Sequence, residues 1–535
     1  MGENDIADFT LDESTFGKNE QNDRGLAVQN IGTLDLDKIT VETFEVMSRQ
    51  ATVNIGTIGH VAHGKSTVVK ALSGVKTQKY HREAVMNITI HLGYANAKVF
   101  KCDKCELPAA YHAFPSSQPD KTDCPTCGSP LTLKRHFSFV DCPGHDVLMA
   151  TMLNGAAIMD AALLLIAANE PFPQPQTLEH LAAIEVLCVP SLLILQNKID
   201  LVAKEHAEVQ QSVVRYYLRS RTNYGGAPII PISAQLALNT DYLLEYLCHM
   251  PLPTRCLRAR PRLHVLRSFD VTPPGNTLES LEGGVVGGTL QQGVLRVGDV
   301  VELFPGLLAL TRRDGVLPSR TGMLSGQELS FIGSPPPGEV HMVPLRTTVR
   351  SLMSEANRLQ YAVPGGLIAV GTYLDPSLTR QNKLRGQVLR LATTHDGDGS
   401  SADNNDDGMQ VYQEVELQFF LLPALLGVSR DRSGSAVTTT TNTAANARNA
   451  GVMVPSRYYR VEKLKDGENV VLSINTLTTA ATVLRTAHGK AKVRLECPVY
   501  CACGDRVALA RFFHRKIRLI GWGVVKRGVP VRAVD

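Results

Sequence analysis

The 535-residue sequence lacks any long uninterrupted hydrophobic run. A helix needs about 18 or more consecutive apolar residues to cross a bilayer, so we expect neither a membrane-spanning segment nor a membrane partner. The residues from Met1 to Asp5 are polar and acidic, and we therefore expect no secretory signal. With 44% hydrophobic and 20% charged residues, the composition is typical of a soluble globular protein.

The sequence also lacks a strong excess of either charge, because its formal net charge is only +4. So small a charge does not indicate a polyanion partner, and any nucleic-acid surface has to be local. The eleven cysteines do not show the dense pattern of secreted, disulfide-stapled domains. Four of them instead form two close pairs with a metal-like spacing, which indicates a reducing compartment and predicts a cytoplasmic protein.

The chain is long enough for about three domains. Residues 51–253 alternate strand and helix patterns, which predicts an α/β domain with a mostly parallel sheet. Beyond a Pro-rich linker, short β-branched runs alternate with Gly and Pro turns. This pattern predicts two small all-β barrels, the first at residues 262–380 and the second at residues 384–535.

Three segments are predicted to be less ordered. Residues 1–50 are predicted to be a flexible N-terminal extension, although the part from Asp35 to Gln50 alternates apolar and polar residues and is expected to lie against the first domain. Residues 396–408 are nearly all Asp, Asn, Gly and Ser, and residues 429–451 are rich in Thr, Asn, Ala and Ser. Because neither stretch can bury much apolar surface, both are predicted to be mobile insertions in the second barrel.

The stretch Gly59–Thr67 reads GHVAHGKST and fits G-x-x-x-x-G-K-[ST], the phosphate-binding loop. It follows an alternating apolar run that predicts a strand, and it precedes a predicted helix. In such a loop backbone N–H groups cradle the phosphates, and the helix N-terminus adds partial positive charge. Lys65 would reach the β- and γ-phosphates, and the Ser66 hydroxyl would coordinate Mg²⁺. The stretch therefore predicts a nucleotide-binding site.

Three further motifs, each after a predicted strand, select a guanine nucleotide. Asp141–Gly144 supplies an aspartate that can hold Mg²⁺ through water and a glycine N–H for the γ-phosphate. Asn197–Asp200 supplies a carboxylate that accepts from guanine donors absent in adenine, and backbone N–H groups of Ser233–Gln235 can contact the guanine oxygen. All lie at the carboxyl edge where α/β sheets bind ligands. The predicted GTP-binding residues are Gly59, Ala62, His63, Gly64, Lys65, Ser66, Thr67, Asp141, Gly144, Asn197, Lys198, Ile199, Asp200, Ser233, Ala234 and Gln235.

Two more residues are predicted to act in the hydrolysis of GTP to GDP. Thr89 lies between the phosphate loop and the second motif, where a threonine can coordinate Mg²⁺ only while the γ-phosphate is present. His145 directly follows the second motif and is placed to orient the attacking water, since phosphoryl transfer needs mostly positioning and charge stabilisation. With Lys65 they form the predicted catalytic set, while Ser66, Thr89 and, through water, Asp141 are the predicted Mg²⁺ ligands. The sequence shows no candidate arginine finger, so we expect slow intrinsic hydrolysis that a partner accelerates.

The paired cysteines lie in an interruption of the α/β pattern at residues 101–134. Cys102 and Cys105 form one C-x₂-C pair, and Cys124 and Cys127 form the other after 18 intervening residues. This spacing is typical of a four-thiolate zinc site, and such a zinc ion is structural because no coordination position stays open. The alternative is a set of four buried free thiols.

Several longer stretches carry a resemblance to one family. Besides GHVAHGKST and DCPGH, they are NITIHLGYANAK at Asn87–Lys98, LMATMLNGAAIMD at Leu148–Asp160, PQPQTLE at Pro173–Glu179, RSFDV at Arg267–Val271, YAVPGGLIAVGT at Tyr361–Thr372 and RLIGWG at Arg518–Gly523. Together they resemble the gamma subunit of eukaryotic translation initiation factor 2, one of the translational GTPases similar to elongation factor Tu. Met86 and His91, beside Thr89, stand where the family usually has Arg and Lys.

This resemblance implies the fold class, an α/β P-loop GTPase domain followed by two all-β barrel domains. It implies that the GTP form, in a heterotrimer with alpha and beta subunits, carries methionyl initiator tRNA to the small ribosomal subunit. It further implies a separate GTPase-activating factor and a separate nucleotide-exchange factor. In relatives the aminoacyl end of the tRNA lies between the GTPase domain and the first barrel, so Gly365 and Gly366 are expected to line that site.

Two alternative functions remain open. An elongation-type or selenocysteine-type tRNA-delivering GTPase would share the four motifs and the barrels, although the cysteine pairs and the RSFDV and RLIGWG stretches argue against it. A scaffold that binds GTP without catalysis is the second alternative, and the presence of both Thr89 and His145 weakens it.

Basic residues near the C-terminus have almost no acidic neighbours in the sequence. One interpretation is that they contact RNA phosphates, in which case RNA affinity would fall as the salt concentration rises. The alternatives are an ordinary solvated face and a binding site for an acidic protein. The residues are Arg511, Arg515, Lys516, Arg518, Lys526, Arg527 and Arg532.

Overall fold

The computed structural model describes residues 25–77, 83, 89–272, 283–310, 340–392, 408–430, 436–438, 458–513 and 516–533. These residues form an α/β domain followed by two β-barrels, so the predicted fold class is confirmed. None of the helices within these ranges is long and apolar enough to cross a membrane.

The described part of the first domain contains a seven-stranded sheet. Its strands are β1 (Val53–Gly59), β2 (Gly93–Cys102), β3 (Tyr111–Pro115), β4 (Leu131–Asp141), β5 (Ala161–Ala167), β6 (Ser191–Asn197) and β7 (Ile229–Pro231). They lie in the order β3-β2-β4-β1-β5-β6-β7. The neighbours from β4 to β7 pair in parallel, whereas β2 and β3 form an antiparallel edge. Every residue of β1 and β5 is buried, as expected for central strands covered on both faces.

Helices cover both faces of this sheet. They are α1 (Phe44–Arg49), α2 (Lys65–Ser73), α3 (Met149–Ala156), α4 (Pro175–Val186), α5 (Lys204–Arg221) and α6 (Thr240–His249). Apolar residues of α2 and α6 pack in one core, and those of α3, α4 and α5 pack in the other. Helix α4 begins at Pro175, a position where proline loses no hydrogen bond. This arrangement places the loops after β1, β4 and β6 at one edge of the sheet.

The first barrel consists of six described strands that close on themselves in the order β11-β16-β8-β9-β15-β12. The elements of this region are β8 (Arg262–Asp270), β9 (Gly284–Gln292), β10 (Leu295–Arg296), β11 (Val300–Leu310), β12 (Val340–Ser354), β13 (Asn357–Leu359), β14 (Tyr361–Ala362), β15 (Ile368–Thr372), α7 (Pro376–Thr379) and β16 (Val388–Leu391). The interior is aliphatic and includes Leu263, Val286 and Val301.

The second barrel is closed by six described strands in the order β17-β23-β22-β21-β24-β25. The elements of this region are β17 (Met409–Leu421), β18 (Ala424–Arg430), β19 (Ala436–Thr438), β20 (Tyr458–Arg460), β21 (Asn469–Ile474), β22 (Leu477–Ala487), β23 (Lys490–Ala502), β24 (Arg506–Phe513), β25 (Lys516–Pro530) and β26 (Arg532–Ala533). Strand β26 leaves the second barrel and pairs in parallel with β12 of the first.

The boundary predicted at residue 384 lies too early. Strand β16 pairs with β8 and β11, and Leu384 belongs to the core of the first barrel. The described second barrel begins only at Met409. The sequence predicted a new apolar run correctly, but a run by itself does not show which strands it will pair with.

Residues 25–50, which we call the N-terminal segment, are packed rather than free. Leu26 and Gln29 are buried. The Ala27 N–H donates to Ser48 Oγ and to Asp120 Oδ2, both at 2.9 Å. This part of the predicted flexible extension therefore lies on the first domain, whereas residues 1–24 are outside the described residues.

The two predicted mobile insertions fall mostly outside the described residues. At residues 396–408 only Gly408 is described. At residues 429–451 only 429–430 and 436–438 are described, and they belong to a hairpin in which β18 pairs antiparallel with β19.

Candidate nucleotide-binding site

Lys65 lies buried at the first position of α2, directly after the loop that follows β1. Its Nζ donates to the carbonyl oxygens of His60 at 2.7 Å and Gly59 at 3.0 Å. Burial lowers the pKa of Lys65 to about 8, and the nearby Asp141 carboxylate opposes this shift. Gly144 packs so closely against Nζ that a Cβ atom there would overlap it. Lys65, which is predicted to reach the phosphates, therefore lies between the phosphate loop and the motif at Asp141–Gly144.

The three predicted Mg²⁺ ligands lie together at the start of α2. Ser66 Oγ is 3.1 Å from Oγ1 of the buried Thr89. Asp141 is fully buried, and its oxygens accept from Thr57 Oγ1 at 3.0 Å and Thr77 Oγ1 at 2.7 Å. Burial raises the pKa of Asp141, while hydrogen bonds from Ser66 and Thr77 oppose the rise. This oxygen-only donor set fits Mg²⁺, which would neutralise phosphate charge there.

Asn197 connects the phosphate loop to the predicted guanine-binding motifs. Its Nδ2 donates to the His63 carbonyl oxygen at 2.9 Å, and its Oδ1 accepts from the Ala234 N–H at 3.0 Å. The Asp200 and Gln235 side chains are exposed at the same edge of the sheet. The buried amide thus joins the loops, while the Asp200 carboxylate stays accessible to a base. The other predicted binding residues in these loops are Gly59, Ala62, Gly64, Thr67, Lys198, Ile199 and Ser233.

His145 is half-exposed at the end of the second motif. Its Nδ1 accepts from the Val147 N–H at 3.3 Å, and the same nitrogen lies 3.1 Å from Asp146 Oδ1. Within the described part of the chain no hydrogen bond engages Nε2. The ring is therefore held through one nitrogen, and the other is available to orient a water molecule.

Three contacts that the sequence did not predict support the phosphate loop. The Gly59 N–H donates to His180 Nδ1 at 3.0 Å. Burial lowers the pKa of His180 to about 3, so its ring is neutral and can accept this bond. His63 lies 2.9 Å from the Leu165 carbonyl oxygen and 3.1 Å from Glu170 Oε2. The one signal for His180 in the sequence was a polar residue at a buried position of an apolar helix.

The four paired cysteines meet in space. Their sulfur atoms all lie within 4.8 Å of one another, with Cys102–Cys127 at 3.4 Å and Cys105–Cys124 at 3.9 Å. Four thiolates around a tetrahedral zinc ion are separated by about 3.8 Å, given a Zn–S length of about 2.3 Å. His112 Nε2 lies 3.4 Å from Cys124 Sγ. The donor set and its spacing therefore fit zinc.

Gly365 and Gly366 contact the backbone of the first domain directly. Both have positive φ angles, and a Cβ atom on either residue would overlap a backbone carbonyl oxygen, that of Thr52 or that of Ala51. Both glycines are buried at the contact between the first domain and the first barrel. The two backbones touch directly there, and the expectation that these glycines line a site for the aminoacyl end of tRNA stays a prediction.

Most of the described basic residues near the C-terminus have acidic partners. Arg511 pairs with Glu468, and Arg527 pairs with Glu416. Lys516 and Arg518 contact acidic residues of the first domain. These partners lie far away in the sequence, so the apparent lack of acidic neighbours was misleading. Arg515 is outside the described residues.

Two family models match the chain. The elongation factor Tu GTP binding domain matches residues 50–252, which is the α/β domain. The model described as initiation factor eIF2 gamma, C terminal, matches residues 448–525, within the second barrel.

Curated relatives match nearly the whole chain. Eukaryotic translation initiation factor 2 subunit 3 of Drosophila melanogaster is 45% identical over 516 residues, which cover 96% of each chain. Eukaryotic translation initiation factor 2 subunit gamma of Schizosaccharomyces pombe is 43% identical over 502 residues, covering 93% of this chain and 99% of the relative.

Among solved structures, translation elongation factor SelB from Methanococcus maripaludis, in complex with the GTP analogue GppNHp, has a TM-score of 0.55 at 18% identity. The match covers 90% of this chain and 80% of that one. At this level of identity the likeness concerns the fold alone.

Proposed function

Because this chain belongs to the family of the gamma subunit of eukaryotic translation initiation factor 2, we propose that its GTP form carries methionyl initiator tRNA to the small ribosomal subunit. Membership makes the chain a GTPase that acts in translation initiation as part of a multi-subunit factor. The tRNA, the alpha and beta subunits, the activating and exchange factors and a cytoplasmic location are our proposals for its partners and place of action.

The contact between Ser66 and Thr89 is the observation that supports a nucleotide-controlled function best. The two hydroxyl oxygens are 3.1 Å apart beside the buried Asp141. A threonine at this position gains an Mg²⁺ contact only with the γ-phosphate in place, so the loop that carries it distinguishes GTP from GDP. Binding of tRNA by the GTP form alone would follow if that loop supports the tRNA site.

For hydrolysis we propose three roles. Lys65 stabilises the charge on the β- and γ-phosphates, and Thr89 holds Mg²⁺ with Ser66. His145 orients the attacking water through Nε2, since Nδ1 is held beside Asp146. Hydrolysis by the isolated chain is slow and is accelerated by a partner, because the sequence shows no candidate arginine finger.

We propose that the four cysteines hold one structural zinc ion. Elemental analysis of the purified chain should then find one zinc per molecule. The variant C102S/C124S should lose the metal, while Cys256→Ser, which changes an exposed cysteine elsewhere, should keep it. A chain that folds normally with no bound zinc would overturn this proposal.

The decisive experiment measures tRNA binding by the purified subunit complex with GTP and with GDP. We expect tight binding of methionyl initiator tRNA only with GTP, and weak binding of elongator methionyl-tRNA. Thr89→Ala should still bind GTP but lose the difference between the two nucleotides. Equal binding of both tRNAs, or indifference to the nucleotide, would refute the proposed function. The first result would favour an elongation-type factor and the second a GTP-binding scaffold.

A further inference from the structure

Four charged side chains form a cluster between the first domain and the second barrel. Lys516 Nζ lies 2.7 Å and Arg518 Nη2 lies 3.0 Å from Asp146 Oδ2, and Arg518 Nη1 donates to Glu179 Oε1. The side chains of Asp146, Glu179 and Arg518 are each no more than 6% exposed. The cluster contains two positive and two negative groups, so its formal charges balance.

Stability alone gives a weak reason for such a cluster. Removing charged groups from water costs several kcal/mol per ion, and well-packed apolar residues would often stabilise the same contact as well or better. The rest of this interface already contains apolar contacts, because Leu519 and Ala508 of the second barrel belong to the same core as α3 and α4. Both acidic residues also connect to the nucleotide site.

Asp146 uses its two oxygens in different directions. Oδ2 contacts Lys516 and Arg518 of the second barrel, whereas Oδ1 lies 3.1 Å from His145 Nδ1. The carboxylate that lies beside the ring of His145 is therefore itself held by two cations from another domain. A shift of strand β25 would move Asp146 and, with it, the nitrogen that sets the orientation of His145.

Glu179 provides a second connection, to the phosphate loop. It is followed on α4 by His180, whose Nδ1 accepts the Gly59 N–H. The Gly59 carbonyl oxygen in turn accepts from Lys65 Nζ. A displacement of α4 through the Arg518–Glu179 contact would thus reach the loop that cradles the phosphates.

We propose that Arg518 and Lys516 are positioning residues for GTP hydrolysis, which fix His145 through Asp146 and the phosphate loop through Glu179. This inference rests on the role proposed above for His145. It gives the second barrel a direct effect on the hydrolysis rate, although neither residue lies in the nucleotide-binding loops. A partner that displaces this barrel would change hydrolysis without contacting the nucleotide.

The test measures single-turnover GTP hydrolysis and GTP affinity in the full chain. The variants are Arg518→Met and the milder Lys516→Met, each also made with His145→Ala. The control is Arg527→Met, which removes an arginine–glutamate pair from the same strand, β25, but one made within the second barrel to Glu416. Melting temperatures of all variants identify any that fail to fold.

We expect Arg518→Met to slow hydrolysis about tenfold or more, because small misplacements of catalytic groups are costly, while GTP affinity changes far less. Lys516→Met should have a smaller effect in the same direction, and Arg527→Met should have none. When His145 is already replaced by alanine, Lys516→Met should have little further effect, because Lys516 acts only through Asp146 and His145. Arg518→Met should then keep only the part of its effect that passes through Glu179.

Three results would overturn the inference. One is an unchanged hydrolysis rate in folded Arg518→Met and Lys516→Met, with His145→Ala slow; the proposed function would then stand without this coupling. Another is an equal loss of rate from Lys516→Met with and without His145, which indicates a structural role. If His145→Ala alone hydrolyses GTP at the normal rate, the role proposed for His145 fails first, and the coupling through Asp146 fails with it.

Discussion

The first domain contacts the two barrels through interfaces of different chemistry. Toward the first barrel the N-terminal segment supplies neutral hydrogen bonds to backbone groups: Gln50 Nε2 donates to the carbonyl oxygens of Val363 at 2.6 Å and Gly365 at 2.9 Å. Toward the second barrel the central contact is the buried cluster that contains Arg518 and Glu179. Neutral bonds to backbone fix a geometry and respond little to charge, whereas a buried ion pair becomes costly once one partner is lost or moved.

The different chemistry of the two interfaces indicates that the two barrels have different roles. The first barrel is held to the first domain by close backbone contact at Gly365 and by amide side chains such as Gln50 and Asn357. The second barrel contacts the catalytic loops through charges. We infer that the first barrel is a fixed part of the GTPase unit, and that the second communicates with the nucleotide.

The largest expected effect comes from breaking the close backbone contact of the first interface. Gly365→Val places a side chain where a Cβ atom already overlaps the Thr52 carbonyl oxygen. We expect a destabilisation of about 4 kcal/mol or more, the range of severe core changes. Gly504→Val is the matched control, since Gly504 has a similar φ of 100° but open space around it. Calorimetry compares the two; equal losses would mean that backbone strain, and not the interface, is responsible.

The next effect concerns the charged interface. Arg518→Met leaves Glu179 buried without its partner, and we expect a loss of about 3 kcal/mol. The double variant E179Q/R518M should be more stable than R518M, because no unpaired charge stays buried. Thermal unfolding of Arg518→Met, Glu179→Gln and the double variant gives the coupling energy between the two side chains. Simple additivity of the single effects would contradict the description of this contact as an ion pair.

A smaller effect is expected at the neutral interface. Gln50→Ala removes two donated bonds and the bond that its Oε1 accepts from the Val363 N–H at 3.0 Å. Because buried backbone groups lose their partner, we expect a cost of about 2 kcal/mol, with no change in the salt dependence of stability. Gln410→Ala, at an exposed strand position, is the control. A strong salt dependence of the Gln50→Ala effect would remove the contrast between the interfaces.

The smallest expected effect is a dependence of folding stability on pH, caused by His136, which contacts Met47 of the N-terminal segment. His136 is buried, with its ring nitrogens bonded to the Met47 carbonyl oxygen and Ser116 Oγ, and burial beside the Lys98 ammonium lowers its pKa to about 3. The unfolded chain therefore binds a proton below pH 6.5 that the folded chain does not. Stability should be full above that pH and should fall by about 1.4 kcal/mol per pH unit below it.

Replacing this ring with a neutral amide tests the pH dependence. His136→Gln should lose less stability than the unchanged chain between pH 7.5 and pH 5.5, as measured by melting temperature. His488→Gln, at an exposed site, should follow the unchanged chain. An identical acid response in all three proteins would show that His136 does not contribute.

Most residues of the nucleotide site could be predicted from the sequence. Asp141 and Asn197 are the last residues of buried strands, and the phosphate loop and Asp200 lie just beyond such strands. Because parallel strands end at one edge, local patterns were sufficient to place them together. The four cysteines were equally readable because their spacing is itself the signal. His180 was missed, since a histidine in an apolar helix gives no sign of which loop it will face.

The three-domain order, the guanine-nucleotide motifs and the cysteine cluster follow from the sequence, because each depends on residues that are close in the chain or on strand ends. Folding adds what local patterns do not predict: β16 belongs to the first barrel, residues 25–34 pack on the first domain, and Arg518 pairs with Glu179, 339 residues away. Such contacts form when segments far apart in the sequence pack together, and the residues around each partner do not indicate which segment it will contact. Local motifs therefore predict the nucleotide site, whereas its contact with the second barrel forms only when the chain folds.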